Sequence, residues 1–234
     1  MNNGELLAEV RSQLNDVAGN NSTRFWSNAD LIRYANAARD RLFLVVRKLV
    51  IDSTTASDAA GQPLCQIPLV AGTGKYDISK KILGVIRLKL TSQSTLLPPA
   101  TADELDCSYG DWSALPVGDP WTYCIDLESD SITFVPAPKA ADTAVLTVYR
   151  FPLAKLDIDD QNADLGFREE YHEDLIPWML HLAFRKQDSE TYNPGLAEEY
   201  KRTFLDRAAE IKLEMHRHVT KPRQNRMQRA FGAR

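Results

Sequence analysis

Cysteine is scarce in this chain, and its spacing suggests no pairing. Cys65, Cys107 and Cys124 are the only three in 234 residues. No CxxC occurs and no histidine lies near any of them, so neither a disulfide framework nor a zinc site is supported, and buried reduced thiols are expected. Long apolar runs are also missing: none approaches the roughly 18–20 residues needed to cross a bilayer. The opening Met1-Asn2-Asn3-Gly4-Glu5 lacks the basic start of a signal peptide and leads straight into an amphipathic pattern, so folding in a cytoplasm is expected. No repeat of solenoid length is visible. With 44% hydrophobic and 26% charged residues, the composition falls in the soluble globular range, and the length allows one domain or two small ones.

Catalytic and ligand motifs fail at their required positions. His172-Glu173 would need a second histidine at position 176 to form HExxH, and Ile176 stands there. His181, nine residues on, falls on the opposite helix face. His172 therefore reads as a surface histidine beside a helix start. Gly72-Thr73-Gly74-Lys75 lacks the Walker glycine at Leu69 and the hydroxyl at Tyr76, which leaves a β-turn. Asp157 to Asp164 resembles a calcium loop, but its sixth position is Asn162 and its twelfth is Arg168. A solvated acidic linker with at most weak divalent binding is expected. No GxSxG and no local Ser–His or Cys–His motif is present. No catalytic residue, metal or cofactor is assigned, and the chain is not read as an enzyme.

What the chain does contain is a change of period along its length. Leu6, Leu7, Val10, Leu14 and Val17 give a first helix over 5–17. A second starts at a Ser27 cap, with Asp30 three residues later and Trp26 and Leu31 at the staple positions, and runs to about Val50. Asp52 to Gly61 is small and polar, a linker with nothing to pack. From Leu64 to Phe151 the pattern is β: Ile82–Leu90, 121–125, 131–135 and 144–149 read as strands, with a hairpin turn at Glu128-Ser129-Asp130. Nine of the twelve prolines fall between Pro63 and Pro152, where they punctuate strands and loops. Helices resume near Phe167, with Pro177 predicted to kink the first of them. Asn193-Pro194 opens a long last helix.

Neither helical pair has enough surface to bury its stripe alone, so the two pairs are expected to pack together. The fold class is then α+β: a helical bundle from N- and C-terminal helices with an inserted small antiparallel β domain and an extended basic C-terminal tail. The divisions are 1–51, 62–152, 166–215 and 216–234. The expected bundle core is Trp26, Leu31, Tyr34, Leu42, Leu175, Trp178, Tyr200 and Phe204.

The wording of Trp26-Ser27-Asn28-Ala29-Asp30-Leu31-Ile32-Arg33-Tyr34-Ala35-Asn36-Ala37-Ala38, preceded by Gly4 to Arg11, resembles the opening of head-to-tail adaptor proteins of tailed bacteriophages, of the connector or tail-tubular type. The passages 132–138 with 145–152, a strand-Pro-x-Pro-strand signature, and 169–176 with 183–188 are similar to the same family. The resemblance spans residue 4 to about 215. It implies a structural virion protein at the head–tail junction, a dodecameric ring under the portal, and a conduit through which DNA passes without specific binding. Implied partners are the portal, a tail or nozzle protein and further copies of the chain; no membrane is implied.

From His216 onward there are six Lys or Arg and no acid, so the remainder is more acidic than the net −4 suggests. Such an arm orders on a partner or binds phosphates. By its position and polarity the family resemblance makes it portal-binding, through Arg217, Lys221, Arg223, Arg226, Met227, Arg229, Phe231 and Arg234. The alternatives are another tail component, such as a tail-completion or nozzle protein, or a nucleic-acid-binding protein acting through this tail.

Overall fold

The computed structural model describes residues 1–16, 25–58, 60–125, 127–187 and 191–219, with side chains as far as Met215. The fold is α+β, with five α-helices and two antiparallel sheets among these residues. It divides into two compact units. One holds Met1–Gly4 and Leu49–His172; the other holds Glu5–Lys48 and the chain from Glu173 onward.

In the helical unit, α1 (Asn3–Gln13) ends earlier than the periodicity suggested, because Asn15 turns into the left-handed region at φ 52°. In α2 (Asn28–Val46) the Ser27 hydroxyl accepts from the Asp30 N–H at 3.0 Å. This helix also stops short of Val50. Arg47 takes φ 60° and closes it through a bond to the Phe43 carbonyl, since the residues that follow are drawn into a strand. The sequence placed a kink at Pro177, yet Pro177 lies in the first turn of α4 (Ile176–Phe184), preceded by two single 3-10 turns. Proline costs nothing there, because the first-turn N–H groups have no partner inside the helix. Asn193 caps α5 (Pro194–Val219), its side chain accepting from the Leu196 N–H at 3.1 Å. The helices α2, α4 and α5 pack on one another through Ala35, Ala38, Met179, Ala183, Phe204 and Ala208, all buried.

The β unit is a two-sheet sandwich. Its first sheet runs β1 (Ile51–Asp52), β8 (Asp142–Arg150), β4 (Ile82–Leu90), β5 (Leu96–Leu97), with β2 (Gln66–Leu69) also on β8. Its second runs β3 (Lys75–Asp77), β7 (Ser131–Val135), β6 (Thr122–Ile125). The 128–130 hairpin joins β6 to β7, with Asp130 at φ 57°. One core lies between the sheets: Leu88, Leu90, Leu146 and Val148 from the first meet Tyr123, Ile132 and Phe134 from the second.

Alternation along a strand sends neighbours to opposite faces. In β4, however, Ile82, Val85 and Leu88 all pack against this core at a spacing of three. Two one-residue bulges make this possible, between Ile82 and Gly84 and between Val85 and Arg87. On the far side of the second sheet, Cys124 and Val135 form a smaller cluster with Leu105. Leu105 belongs to α3 (Ala102–Tyr109).

The stretch 52–61 is not an idle linker. Asp52 is buried, accepts from the Thr54 N–H at 2.7 Å and pairs with Arg150 at 2.5 Å. Asp58 accepts from the Ser79 hydroxyl at 2.5 Å. Small polar residues serve here as turn acceptors, which their low hydropathy conceals.

Candidate interaction surfaces

The residues of the rejected metal and catalytic motifs make structural bonds. His172 is buried, not superficial: its ring nitrogens lie 2.9 Å from the Met1 carbonyl and 2.9 Å from the Phe167 carbonyl. Two backbone carbonyls, one from Met1 and one from Phe167 five residues upstream, account for its burial. The Asp157–Asp164 loop receives the chain's own start. The Asn3 amide donates to the carbonyls of Asp157 at 2.9 Å and Asp160 at 3.0 Å, and the Gly4 N–H donates to Gln161 O at 2.7 Å. A Cβ at Gly4 would stand 3.2 Å from that same Gln161 oxygen, so a side chain there would push the loop back by a few tenths of an ångström. The loop's side chains from Asp157 to Asn162 are exposed, as expected of a solvated linker, while its backbone carbonyls hold Asn3 and Gly4. Among the described residues, no group of three or more His, Cys, Asp or Glu is placed to hold a metal ion. Gly72 takes φ 80° in a turn that leads into β3. Of the thiols, Cys65 and Cys124 are buried, but Cys107 is exposed on α3. Burial pushes the Cys65 thiol up to about 11, with Asp52 adding to the effect.

In the helical unit a cavity of about 490 Å³ opens between α4 and the start of α5. Trp178, His181, Arg185, Tyr192, Glu198 and Lys201 are among the residues that line it. His181 Nδ1–H donates to the Ala197 carbonyl at 2.7 Å, which leaves Nε2 as the acceptor. Burial lowers its pKa, and Arg185 and Lys201 add to that against the Ala197 bond and Glu198, so the ring is held neutral. Among the described residues, no serine, threonine or cysteine lines this cavity.

Of the expected core residues, Trp26, Leu31, Tyr34, Leu42, Leu175 and Phe204 are buried, while Trp178 and Tyr200 are half-buried. Trp178 packs on Phe204 at 4.9 Å between ring centroids, with the Arg41 guanidinium 5.4 Å over its ring. Tyr200 stacks on Phe184 at 5.9 Å.

Helix α5 continues through Val219 and carries Arg217 on its backbone, past position 216, where the arm was expected to start. Lys221, Arg223, Arg226, Met227, Arg229, Phe231 and Arg234 lie outside the described residues. The sequence reading missed α3 altogether, although its signal is present. Thr101 and Glu104 form a reciprocal capping box, but the flanking prolines and a single buried apolar residue masked it. With the single turn at Trp112–Ala114 that follows it, α3 exposes Tyr109 beside Trp121, ring centroids 4.9 Å apart.

Comparison with known proteins turns this inventory of surfaces into an assignment. The family model described as "SU10 adaptor protein" matches residues 1–230. Nothing among the curated proteins matches the chain. The chain belongs to the SU10 adaptor protein family, and so to the phage head-to-tail adaptors: it is a structural adaptor of a virion.

Proposed function

From this membership as premise, we propose that the chain assembles as a ring of twelve copies beneath the portal, joins capsid to tail and encloses a passage for DNA. The single observation that carries the reading is the family match, which runs over residues 1–230. The portal lies on one side of the ring and a tail or nozzle protein on the other, and assembly takes place in the host cytoplasm. The helical unit acts as the bundle and the β unit as its insertion. A closed ring needs two different complementary faces on every copy. The acidic body suits a conduit, since walls that repel phosphate let DNA slide.

The basic arm docks the portal. Arg217 lies in the last turns of α5, and Lys221, Arg223, Arg226, Arg229 and Arg234 follow it, so charge speeds and orients the encounter. Met227 and Phe231, four apart, supply an apolar anchor in a segment that turns helical on binding. Removing residues 220–234 leaves α5 intact. It should abolish capture on portal rings in a pull-down, with the circular dichroism of the helices unchanged. Retained portal capture, combined with loss of a salt-sensitive affinity for duplex DNA, would instead make the arm a nucleic-acid binder. Negative-stain images that place the protein at the distal tip of the tail would favour a nozzle component.

A further inference from the structure

Charge in the β unit is sorted along the sequence. Residues 78–102 contain Lys80, Lys81, Arg87 and Lys89 and no acid, whereas residues 90–138 contain eight acids and no Lys or Arg. The sorting is not complete in space, since Lys80 pairs with Asp130 at 4.0 Å, but Arg87 and Lys89 stand on one outer side of the sandwich and Asp103, Glu104, Asp106 and Asp111 on the other. In β4, Leu88 and Leu90 point into the core between the sheets, so Arg87 and Lys89 stand on the outer face of the first sheet. Both are exposed. Lys89 is flanked in register by Val145 and Leu96, which are exposed apolar residues. Arg87 donates to the Thr147 hydroxyl at 3.1 Å.

On the other side, Tyr123 and Phe134 face the core, while Cys124 and Val135 face away and are covered by Leu105 of α3. The outer surface there is α3 and the turn after it. Asp103, Glu104, Asp106 and Asp111 are exposed around Tyr109 and Trp121, which are 54% and 40% accessible. Nearby acids have cations of their own: Asp119 pairs with Lys139 at 2.6 Å, and Glu128 pairs with Lys75. Among the described residues, Asp103, Glu104, Asp106 and Asp111 meet no Lys or Arg, and neither do Arg87 and Lys89 meet an acid.

We propose that these two outer faces are the two halves of one head-to-tail contact between neighbouring copies of this chain. Arg87 and Lys89 of one copy meet the α3 carboxylates of the next, with Tyr109 and Trp121 as the apolar anchors against Val145 and Leu96. Complementary patches on opposite sides of one body make a heterologous contact, the kind that propagates around a ring. Exposed aromatics within a polar rim are the usual composition of an interface centre. A phosphate-bearing occupant is disfavoured on the α3 side by its four carboxylates. The contact rests on the ring reading above and gives that ring its subunit interface.

Charge reversal in the full-length chain tests it. R87E/K89E and D103K/D111K should each weaken self-association about tenfold or more in analytical ultracentrifugation, with unchanged circular dichroism. Mixed one to one, the two variants should reassemble, because each reversed face then meets a reversed partner and each native face a native one. A photo-cross-linker at position 89 should join residues 103–121 of a second copy. Oligomers that persist in both variants, or a mixture that fails to reassemble, overturn the contact and leave the ring standing. A native chain that stays monomeric at its highest soluble concentration overturns both this contact and unaided ring formation.

Discussion

In the helical unit the polar side chains join one part of the unit to another, whereas in the β unit many of them face outward. Arg11 is buried in α1 and reaches Asp16 at 2.6 Å, the Trp26 carbonyl at 3.1 Å and Asn28 at 2.5 Å. The Asp16 carboxylate in turn accepts from the Phe25 N–H at 2.9 Å. These bonds tie the end of α1 to the start of α2. Asp174 and Arg207 do the same between the turn before α4 and the middle of α5, at 2.9 Å. Burial raises the Asp174 pKa against the pull of Arg207. Among the described residues the β unit has one comparable pair, Asp52 with Arg150; Asp103, Glu104, Asp106 and Asp111, which meet no Lys or Arg, and the Arg87–Lys89 pair stand outside. Removing a buried charge leaves its partner unpaired in the interior, while removing an exposed one costs little folding energy. The contrast therefore separates residues that hold the protein together from residues available to hold something else.

Arg11→Ala should break that distinction most severely if it is wrong. Leaving Asp16 buried without its cation should cost about 3–5 kcal/mol in urea unfolding, with self-association unaffected below the transition. R87E/K89E should show the reverse, little change in stability and loss of association. A mid-sized test concerns where the interior of the helical unit ends. Phe204→Ala should cost about 3–5 kcal/mol, as a cavity in a closed core does. Trp178→Ala should cost less, about 2 kcal/mol, because that residue is already partly in contact with water. Equal losses would put Trp178 inside.

The smallest expected effect is in acid, where the two units should part company. His181 is held neutral with its pKa below the ordinary 6.5. Its contribution is complete above that value and declines as pH falls below it. Asp52 behaves differently: burial pushes it up, but the Thr54 N–H and hydroxyl and Arg150 outweigh that and hold it below the ordinary 3.8. Its contribution persists until pH drops under that value. Amide exchange should therefore report loosening near α4 and the start of α5 between pH 6.5 and 4, before β1 and β8 respond. Asp174 acts in the opposite sense, so the assignment is read from His181→Gln, which should flatten the slope in that window. An unchanged slope would remove His181 as its source.

How much of this was legible varied with how local the cause was. Ser27 and Asn193 announce their helices because a cap depends on the next three residues. Strands β4, β6, β7 and β8 show in their β-branched runs. His172 reads as exposed because its carbonyl partners lie in two separate segments, one of them near the chain's first residue, and no window contains both. The stretch 52–61 was missed for the same reason: Asp52 acquires its role from Arg150, 98 residues away. Trp178 and Tyr200 fall on the apolar stripe by spacing, but spacing does not say where along a helix the covering neighbour ends. The exposed pair Tyr109 and Trp121 was invisible until α3 brought them together, although the cation-free run from 90 to 138 could have marked that surface.

The two bulges of β4 set which residues of that strand are seen from outside. Deleting Leu83 or Ile86, the residues skipped in the ladder, would shorten the strand and leave the pairing on either side of the gap in phase. Deleting one residue between Arg87 and Leu90 would invert the order beyond it, sending lysine inward and leucine outward. Length changes in this strand are thus of two kinds, silent and inverting, and only a few positions separate them. Relatives that differ in length here should place their gaps at 83 or 86 and keep the parity of the last four residues, whatever their identities.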